Sequence, residues 1–520
     1  MSDIRYDLVI YNAQIYTIDE NMSNAEMIGI SNGYFNYIGD YSEKIVKNAK
    51  ICIDLQGKTV LPGFIDLHTH LWAEADKIEF DLSGISTYHG TIQMLKSHIK
   101  SKNKDEWIFA SGWDESIWTD KKEFLSLVDL DAISPENPLY VRREDGHLVA
   151  VNSLALKLLP IDLTDNGVIK NDEGNSTGVL KDIWLDLTPH FKHLIPANIE
   201  ASCKIALSYG ITSVVDNLTI MSEGQKNILQ SYFKLDLEDK IPIRIFLNPT
   251  RDLMEEFTRL GLQRNWGSSK VLFSGFKGFF DGAIGSETAL IKAKYIDEGG
   301  SGEKFLDESE LIKQVQFAEE HHHTLCIHAI GDQAIESLLD SFEKGIFDTG
   351  KERSGNKHRI EHAEMITYEQ VLRAKKLGIV LSMQPNFLKW EYPNELYEQR
   401  LGKERFLLLN RFKMVLKQGA HLSFGSDNMP INPLFGIHHA VNFPTEEVRI
   451  SISEAIRAYT LSNAEALSME SKIGSITKGK YADFIVIDKS PFNINLQSVE
   501  QLIVEQTYVS GERVYNREGL

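Results

Sequence analysis

The sequence predicts an α/β fold: a (β/α)8 barrel of the TIM type, a small β-sandwich domain formed by both termini, and an insert after the first barrel strand. Three observations predict this architecture. Eight short apolar segments alternate with amphipathic helical segments, both ends of the chain have strand and hairpin patterns, and the first connection is far too long for a simple crossover. With 520 residues, 42% of them hydrophobic, the chain can bury a large core.

The two ends of the chain contain short alternating apolar runs. "DLVIYNAQIYT", "AEMIGIS" and "AKICIDLQGKTVL" precede the barrel, and "GKYADFIVID" and "IVEQTYVSGERVY" lie near the C-terminus. These runs, broken by Asn, Gly and Asp, are typical of strands and hairpins. Because a sheet from either end alone would leave exposed edges and an uncovered apolar face, we predict one composite β-sandwich domain from residues 1–60 and 465–520.

Residues 61–464 are predicted to form the barrel. Helical segments such as 307–323 and 367–378, the second with Gly378 as its C-cap, separate the apolar runs in the way that predicts a parallel sheet. Eight such units are the number that closes a barrel. The candidate strands are 63–70, 210–216, 241–248, 273–281, 323–331, 358–364, 379–385 and 421–427.

The connection between the first two barrel strands is predicted to hold a capping insert at about residues 72–205. It contains "WIFASGWDESIW" and "PLYVRREDGHLVAVNSLAL", a mixture of strands, turns and helices that could cover the barrel mouth. Trp72, Trp113 and Trp118 could line an apolar pocket there, although tryptophans in such a layer more often serve packing. Asp114 has the pattern of a turn residue.

The first barrel strand, "LPGFIDLHTH", ends on two histidines with one residue between them. Since side chains alternate along a strand, His68 and His70 point to the same face and lie close enough to share one ion. Imidazole is a common ligand for zinc, iron and nickel, and two ligands from one strand fix half of a tetrahedral site. The chain has 16 histidines, so a metal site depends on further partners.

Four further candidates lie at the ends of other predicted strands, where a barrel gathers its chemistry. Lys277 is on the fourth strand and His328 ends the fifth. His362 lies in "RIEHAE" on the sixth strand, and Asp427 ends the eighth in "GSD". Each has an ordinary structural explanation, because a strand histidine is often simply hydrogen-bonded and a strand-end aspartate is often a helix N-cap. Their shared position at strand ends favours one metal centre.

The motifs, in their order along the chain, resemble those of the metal-dependent amidohydrolase superfamily, and in particular its YtcJ-like (amidohydrolase 3) branch, which includes N-substituted formamide deformylases. The resemblance covers nearly the whole chain and rests on "LPGFIDLHTH", "GWDE", "DGHLVAVNSLAL", "TGVL", "FKGFFDGAIGSETA", "IHAIGDQA", "HRIEHAE", "GSD" and "IGSITKGKYADFIVID". It implies a (β/α)8 barrel flanked by a β-sandwich from both termini, and a metal centre at the barrel mouth.

The resemblance also implies the ligands of that centre. One divalent ion, with Zn²⁺ as the first choice, would be held by His68, His70 and Asp427. A second would be held by His328 and His362. Whether one or two ions bind stays open, and so does the native metal, because histidine and carboxylate ligands also accept iron, manganese or nickel.

By the same resemblance, Lys277 would bridge two ions. An unmodified lysine is a cation and cannot ligate a metal, whereas lysine carboxylated by carbon dioxide is an anion with two oxygens. Asp281, four residues further along the same strand and face, is an alternative ligand or substrate contact. We prefer Lys277 as the bridge.

The expected reaction is hydrolysis of an amide or cyclic C–N bond in a small-molecule substrate. Bound Zn²⁺ lowers the pKa of its water from about 15.7 toward about 7, so a metal-activated hydroxide exists at neutral pH. Asp427 would act as the general base and return the proton to the leaving amine. His147, in "REDGHLVAVN" of the insert, could polarise the substrate carbonyl or bind the substrate, and a plain turn histidine is an equally good interpretation.

Two other functions remain open. A deaminase of the same superfamily, acting on an aminated heterocycle, uses the same histidines and aspartate around a single metal. Such deaminases usually depend on a glutamate shortly after the fifth-strand histidine, where this chain has "HAIGDQ". A non-catalytic metal-bearing binding or regulatory protein is the third hypothesis, because fold alone does not establish catalysis. The presence of every expected ligand position, and of Asp427, favours the enzyme.

Two other histidine groups are predicted to lie outside the site. The run at 321–323 ends a predicted helix and is expected at the surface, where histidines favour the helix C-terminus and water. His438 and His439 follow "NPLFGI" in a predicted helix, and we expect them to be structural.

Composition limits the partners and the compartment. The formal net charge of −19 argues against nucleic acid and anionic membranes, since both need a positive surface. No signal peptide or run of ~20 apolar residues is apparent, so a cytoplasmic location is expected. Cys52, Cys203 and Cys326 are far apart and odd in number, which fits a reducing compartment. The oligomeric state stays open, with a homodimer as one expectation.

Overall fold

The computed structural model describes residues 5–73, 80–183, 195–219, 223–296, 300–347, 355–392 and 395–519. Parts of all three predicted units lie outside the described residues. They are residues 1–4 and 520 of the predicted terminal domain, residues 74–79 and 184–194 of the predicted insert, and residues 220–222, 297–299, 348–354 and 393–394 of the predicted barrel. All the predicted metal ligands, and His147, are described.

The described residues form 22 β-strands, mostly short segments rich in β-branched and aromatic side chains, which pack well on a pleated surface. Their bounds are β1 (Tyr6–Tyr16), β2 (Asn24–Ser31), β3 (Tyr34–Gly39), β4 (Ala49–Asp54), β5 (Thr59–Pro62), β6 (Phe64–Thr69), β7 (Ile108–Trp113), β8 (Leu139–Arg143), β9 (Leu148–Val151), β10 (Val168–Lys170), β11 (Ser176–Lys181), β12 (Ile211–Asn217), β13 (Arg244–Asn248), β14 (Val271–Phe273), β15 (Phe276–Phe279), β16 (Leu325–Ala329), β17 (Arg359–His362), β18 (Val380–Met383), β19 (His421–Phe424), β20 (Phe484–Ile487), β21 (Val504–Val509) and β22 (Glu512–Asn516).

Sixteen α-helices accompany them in the same described ranges. They are α1 (Glu43–Lys47), α2 (Tyr88–Ile99), α3 (Leu127–Ile133), α4 (Ser153–Leu158), α5 (Ile195–Ser208), α6 (Glu223–Leu237), α7 (Met254–Arg259), α8 (Glu308–Glu320), α9 (Asp332–Phe347), α10 (Tyr368–Leu377), α11 (Leu396–Leu401), α12 (Lys403–Phe406), α13 (Phe412–Lys417), α14 (Pro433–Asn442), α15 (Ile452–Ala458) and α16 (Leu461–Ala466). Short 3-10 turns occupy Leu71–Ala73, Glu115–Ile117, Arg251–Leu253, Pro385–Trp390, Leu496–Gln501 and Arg517–Gly519. None of the described helices combines the length and apolarity needed to span a bilayer.

The two ends of the chain pair in one eight-stranded sheet. Its order is β22-β21-β20-β5-β1-β2-β3, and β4 also pairs with β1. The long strand β1 pairs with β4 through residues 6–11 and then with β5 at residues 14–15, so one strand serves two neighbours on the same side. This sheet joins both termini as the apolar patterns suggest. The two facing layers of a sandwich, and the domain boundaries, stay predictions.

The barrel region contains two parallel sheets, with the orders β14-β13-β12-β6 and β15-β16-β17-β18-β19. All eight predicted segments contain a strand, and the fourth is divided into β14 and β15. An isolated parallel bridge joins Thr250 to Lys277 between the sheets, and the Asp427 N–H donates to the His68 carbonyl oxygen at 2.8 Å. The mixed α/β class is therefore confirmed, while closure into one barrel stays a prediction.

The predicted insert contains a sheet of its own, with the order β10-β11-β9-β8-β7. Trp113 and Trp118 are fully buried beside it with ring centroids 5.9 Å apart, and Trp72 is buried in the main core. Trp113 and Trp118 therefore have the packing role that the sequence favours for such a layer, and they do not line the pocket, because both rings pack within the insert. Asp114 does begin a 3-10 turn, by accepting from the Ser116 N–H at 3.0 Å.

Local signals placed the helix ends well, with one exception. Thr367 and Gln370 form a capping box at the start of α10, and Gly378 ends it with φ of 56°. The exception is the run at 321–323. His322 is exposed, but His323 is buried with its Nε2 2.7 Å from the Thr258 hydroxyl. The predicted surface position is wrong for His323, because the chain turns inward there to begin β16.

Candidate metal centre

The predicted ligands gather at the carboxyl ends of the parallel strands. His68 lies on β6, Lys277 on β15, His328 on β16 and His362 at the end of β17, whereas Asp427 follows β19. These five side chains are buried. One ligand atom from each of His68, His362 and Asp427 lies within 4.8 Å of the others. Three strands that are distant in sequence therefore bring ligand atoms to one point.

The hydrogen bonds of the first-strand histidines fix which ring nitrogen carries the hydrogen. Nδ1 of His68 lies 2.7 Å from Glu361 Oε2, and Nδ1 of His70 lies 2.7 Å from the backbone oxygen of Asn217. Both partners only accept, so each Nδ1 is the donor and each Nε2 of the neutral ring carries a lone pair. Metal-binding histidines are held in this way by their second nitrogen.

Those lone-pair nitrogens lie close to the Asp427 carboxylate. Nε2 of His70 and Nε2 of His68 are 3.0 and 3.6 Å from Asp427 Oδ1. Although burial raises the pKa of the Asp427 carboxyl, neighbouring positive charge holds it well below its usual range, so the group is an anion. Three electron-rich atoms this close repel one another unless a cation lies between them. The donor set therefore fits a divalent metal ion.

His328 and His362 extend the cluster. His328 Nε2 donates to the Gly282 carbonyl oxygen at 3.0 Å, which leaves Nδ1 as its ligand atom. Its ring centroid is 4.3 Å from that of His362, whose buried Nδ1 has no hydrogen-bond partner in the described part of the chain. Burial, followed by nearby positive charge, holds the pKa of both rings well below the usual range. Both are thus neutral, as metal ligation requires.

Two members of the cluster have left-handed backbone conformations. The φ angle is 73° at His362 and 53° at Asp427. For residues with a Cβ this conformation costs about 1–3 kcal/mol and is concentrated at functional sites. Asparagine, aspartate and histidine adopt this conformation more often than other residues with a Cβ, but residue type alone does not predict it at a given position.

Lys277 lies inside the same cluster, with Nζ 3.3 Å from Nε2 of His68. Its side chain is buried, and burial lowers the pKa of the amine. An amine with a lowered pKa is more often uncharged, which is the nucleophilic form that can react with carbon dioxide.

Glu361 is a buried residue of the centre that sequence reasoning missed. Its Oε2 accepts from His68 Nδ1, and its Oε1 accepts from Arg359 Nε at 2.8 Å. Although burial raises the pKa of this carboxyl, Arg359 and His68 hold it well below the usual range. Strict strand alternation would put Glu361 and His362 on opposite faces, and the left-handed φ of His362 breaks that alternation. The neighbouring Arg359 and Glu361 in "HRIEHAE" are the sequence signal from which this role could have been predicted.

His147 reaches the cluster from the insert. Its Nδ1 lies 2.5 Å from Asp182 Oδ1, and its backbone N–H donates to Asp145 at 3.0 Å. Its ring centroid is 5.6 Å from that of His328. Burial lowers the pKa of His147, but Asp182 outweighs it and raises the pKa to about 9. The insert thus presents an oriented imidazolium beside the predicted metal ligands, and Asp182 was not foreseen.

Two adjoining spaces of about 590 and 350 Å³ lie over the cluster, and we call them together the catalytic cavity. Both are lined by Asp145, His147, His328, His362 and Asp427. The larger space also reaches His68, His70 and Lys277, and the smaller one has an aromatic wall of Phe387, Trp390 and Tyr397. The charged side chains and predicted metal ligands therefore lie where the two spaces meet, and the aromatic wall belongs to the smaller space.

The wall on the insert side is held by a buried arginine. Arg143 donates to both oxygens of Glu115 at 2.8 and 2.9 Å, to Asp145 at 2.5 Å and to Asp114 at 3.3 Å. Asp114 is therefore more than the turn residue that the sequence suggests. These bonds fix the loop that carries Asp145 and His147.

Backbone N–H groups already bind the carboxylate of Asp281, the alternative ligand. Its carboxylate accepts from the N–H groups of Leu290, Ile330 and Gly331 at 2.8–3.0 Å. Its Oδ1 is 3.6 Å from His328 Nε2. Burial raises the pKa of Asp281 to about 7. The carboxylate organises the loops around His328.

His438 and His439 lie on α14, as expected.

Comparison with known proteins identifies the family. A sequence model of the amidohydrolase family matches residues 52–515 of the chain. The chain belongs to the amidohydrolase family. It is therefore a hydrolase of the class that the sequence motifs predict.

Relatives match this amidohydrolase over almost its full length. It is 29% identical to YtcJ of Bacillus subtilis (strain 168), over 97% of the chain and 98% of the relative. It is 26% identical to the N-substituted formamide deformylase of Arthrobacter pascens, over 99% of both chains. A metal-dependent hydrolase of uncharacterized function from Pyrococcus horikoshii OT3 superposes with a TM-score of 0.75, at 27% identity, over 94% of this chain and 99% of that one.

Proposed function

We propose that the protein is a metal-dependent hydrolase that cleaves a non-peptide C–N bond in a small amide or cyclic amide. The observation that carries the proposal is the convergence of two histidine lone pairs on the Asp427 carboxylate inside the catalytic cavity. Membership of the amidohydrolase family supports it, and so does the likeness to a relative whose name gives N-substituted formamides as its substrates.

The proposed architecture is the (β/α)8 barrel with a β-sandwich from both termini and a capping insert. In it the metal, with Zn²⁺ preferred, would be held by His68, His70, Lys277, His328, His362 and Asp427. A bound divalent ion would supply Lewis acidity toward the substrate carbonyl and lower the pKa of water. The bridging role of Lys277 requires its carboxylation by carbon dioxide, and its burial beside His68 supports that chemistry.

Asp427 is proposed as the general base. It is an anion next to the ligand nitrogens and lines both spaces of the cavity, so its carboxylate can take a proton from the attacking water and pass it to the leaving nitrogen.

His147 is proposed to act on the substrate from the opposite wall. Its imidazolium, oriented by Asp182, can donate a hydrogen bond to a carbonyl oxygen whose negative charge grows in the transition state. Because the insert supplies this donor, the same segment lines the cavity and contributes a proposed catalytic residue.

The alternative functions receive less support from the geometry. A deaminase would need a carboxylate shortly after His328, and the candidate by spacing, Asp332, lines a different cavity. A non-catalytic binding protein would not need the Asp427 and His147 side chains to face a common cavity. We propose no nucleic-acid or membrane partner. The cytoplasmic location and the homodimer stay predictions.

The test is metal content per chain on protein purified with added bicarbonate, combined with a screen of N-formyl, N-acyl and cyclic amides. We expect about two metal ions per chain, together with turnover of an amide. Turnover should be lost in His68→Ala together with metal, and in Asp427→Asn with metal largely retained. Ammonia release from aminated heterocycles with one metal would support the deaminase instead. Metal without any turnover would overturn the proposed function.

A further inference from the structure

A further cavity lies outside the catalytic cavity, next to the starts of α9 and α10. Its volume is about 420 Å³, part of it open to solvent, and we call it the arginine cavity. Apolar side chains form most of its lining, and the polar contribution comes from two arginines, Arg405 and Arg411, with Thr367 and Asp332. None of these residues belongs to the proposed metal centre.

The two arginines have unused donors. Nη1 of Arg405 and Nε of Arg411 are shielded from solvent, and neither has a hydrogen-bond partner among the described residues. Arg411 is anchored from its other end, where Nη2 donates to the Ile366 carbonyl oxygen at 3.0 Å. A buried guanidinium N–H without a partner is costly, so the two arginines keep unused hydrogen-bonding capacity beside this cavity.

The charge balance of the cavity favours an anion. Its lining carries two guanidinium groups against one carboxylate, Asp332. Oδ1 of Asp332 already accepts from the Lys292 backbone N–H at 2.9 Å. The starts of two helices, α9 and α10, add positive ends of helix dipoles to the same side.

The remaining lining specifies the body of the ligand. Ile291, Met365, Leu408 and Leu409 present apolar surface beside the arginines. A bare inorganic anion would leave this surface facing water, whereas a carboxylate on a short hydrocarbon body would cover it. Guanidinium groups bind carboxylates through paired N–H donors.

We propose that the arginine cavity binds a small organic carboxylate with an apolar body. Arg405 and Arg411 hold its carboxylate, and Met365 and Leu409 contact its apolar part. The two cavities share a wall, where the Met365 N–H donates to the Ile330 carbonyl oxygen at 3.1 Å, and Ile330 lines the catalytic cavity.

The test is calorimetric titration of the metal-loaded protein with hexanoate, with inorganic phosphate and hexan-1-ol as comparison probes. Hexanoate should bind, and phosphate and hexan-1-ol should each bind at least tenfold more weakly. Phosphate lacks the apolar body, and hexan-1-ol lacks the carboxylate. Arg405→Gln and Arg411→Gln should each weaken hexanoate binding about tenfold or more. The matched control Arg449→Gln removes an equal charge from an exposed position and should leave the affinity unchanged.

A carboxylate could also bind at the metal centre, so the same titration is made on His68→Ala. Binding that survives in His68→Ala and is weakened in the two arginine variants supports the arginine cavity. Binding that is lost in His68→Ala and kept in both arginine variants would overturn it, as would the absence of hexanoate binding or tighter binding of phosphate. Amide turnover is measured separately. The hexanoate-binding result can therefore be interpreted even if the proposed hydrolase function is wrong.

Discussion

Nδ1 of His68 and Oε2 of Glu361 lie 2.7 Å apart, and both side chains are fully inaccessible to solvent. This hydrogen bond fixes the His68 ring so that Nε2 faces Asp427 and Lys277. Arg359 holds the second oxygen of Glu361 in turn. A chain of three side chains thus sets the direction of one predicted metal ligand.

Glu361→Gln should lower metal affinity by about 10- to 100-fold, because it removes the negative charge that orients His68 and makes its Nε2 more basic. Competition with a chelator of known affinity measures the change. Glu369→Gln, at an exposed position of α10, is the control. Unchanged metal affinity in Glu361→Gln would contradict a role for this carboxylate in the centre.

Lys277→Ala should reduce the metal content from near two ions per chain to near one and remove any dependence of activity on bicarbonate. The reason is that, in the proposed centre, the bridging oxygens would come from the carboxylated lysine. Metal analysis with and without bicarbonate measures the effect, and Lys294→Ala, at an exposed lysine, serves as the control. If Lys277→Ala binds as much metal as the natural chain, the proposed bridging role of Lys277 is wrong.

Asp182→Asn should flatten the pH dependence of stability. The folded pKa of His147 is raised to about 9, above the ordinary value of about 6.5, so the stabilisation is complete below about pH 6.5 and is lost as the pH rises through 9. The shift corresponds to at most about 3 kcal/mol. Urea unfolding midpoints at pH 6.5 and 9.5 should therefore differ more in the natural chain than in Asp182→Asn. Asp172→Asn, at an exposed position, should behave like the natural chain.

The histidine run at 321–323 offers a paired test of burial. His323→Ala should destabilise the fold by about 2 kcal/mol, because it leaves a cavity and removes the partner of the Thr258 hydroxyl. His322→Asn, at an exposed position with φ of 59°, should change stability by less than about 0.5 kcal/mol. Thermal unfolding compares the two variants, and equal melting temperatures would refute the burial of His323.

The sequence predicted the strands of the barrel region well because their signal is local. A short apolar run between polar turns is typical of a buried strand wherever it lies in the fold, and each of the eight predicted segments contains one. The capping box at Thr367 and the left-handed Gly378 were equally readable, since each depends on a few neighbouring residues. The gathering of the predicted ligands at strand ends followed from the shared geometry of parallel strands.

What the sequence could not give is the set of contacts between segments far apart in the chain. The partnership of Glu361 with His68 spans 293 positions, and that of Asp182 with His147 spans 35. The burial of His323 is another case, because a helix-ending histidine looks exposed until the next strand draws it inward. Local pattern sets which elements form, by backbone geometry and the burial of apolar faces. Only the packed tertiary structure decides which polar groups meet inside, because that choice depends on side chains brought together from every strand at once.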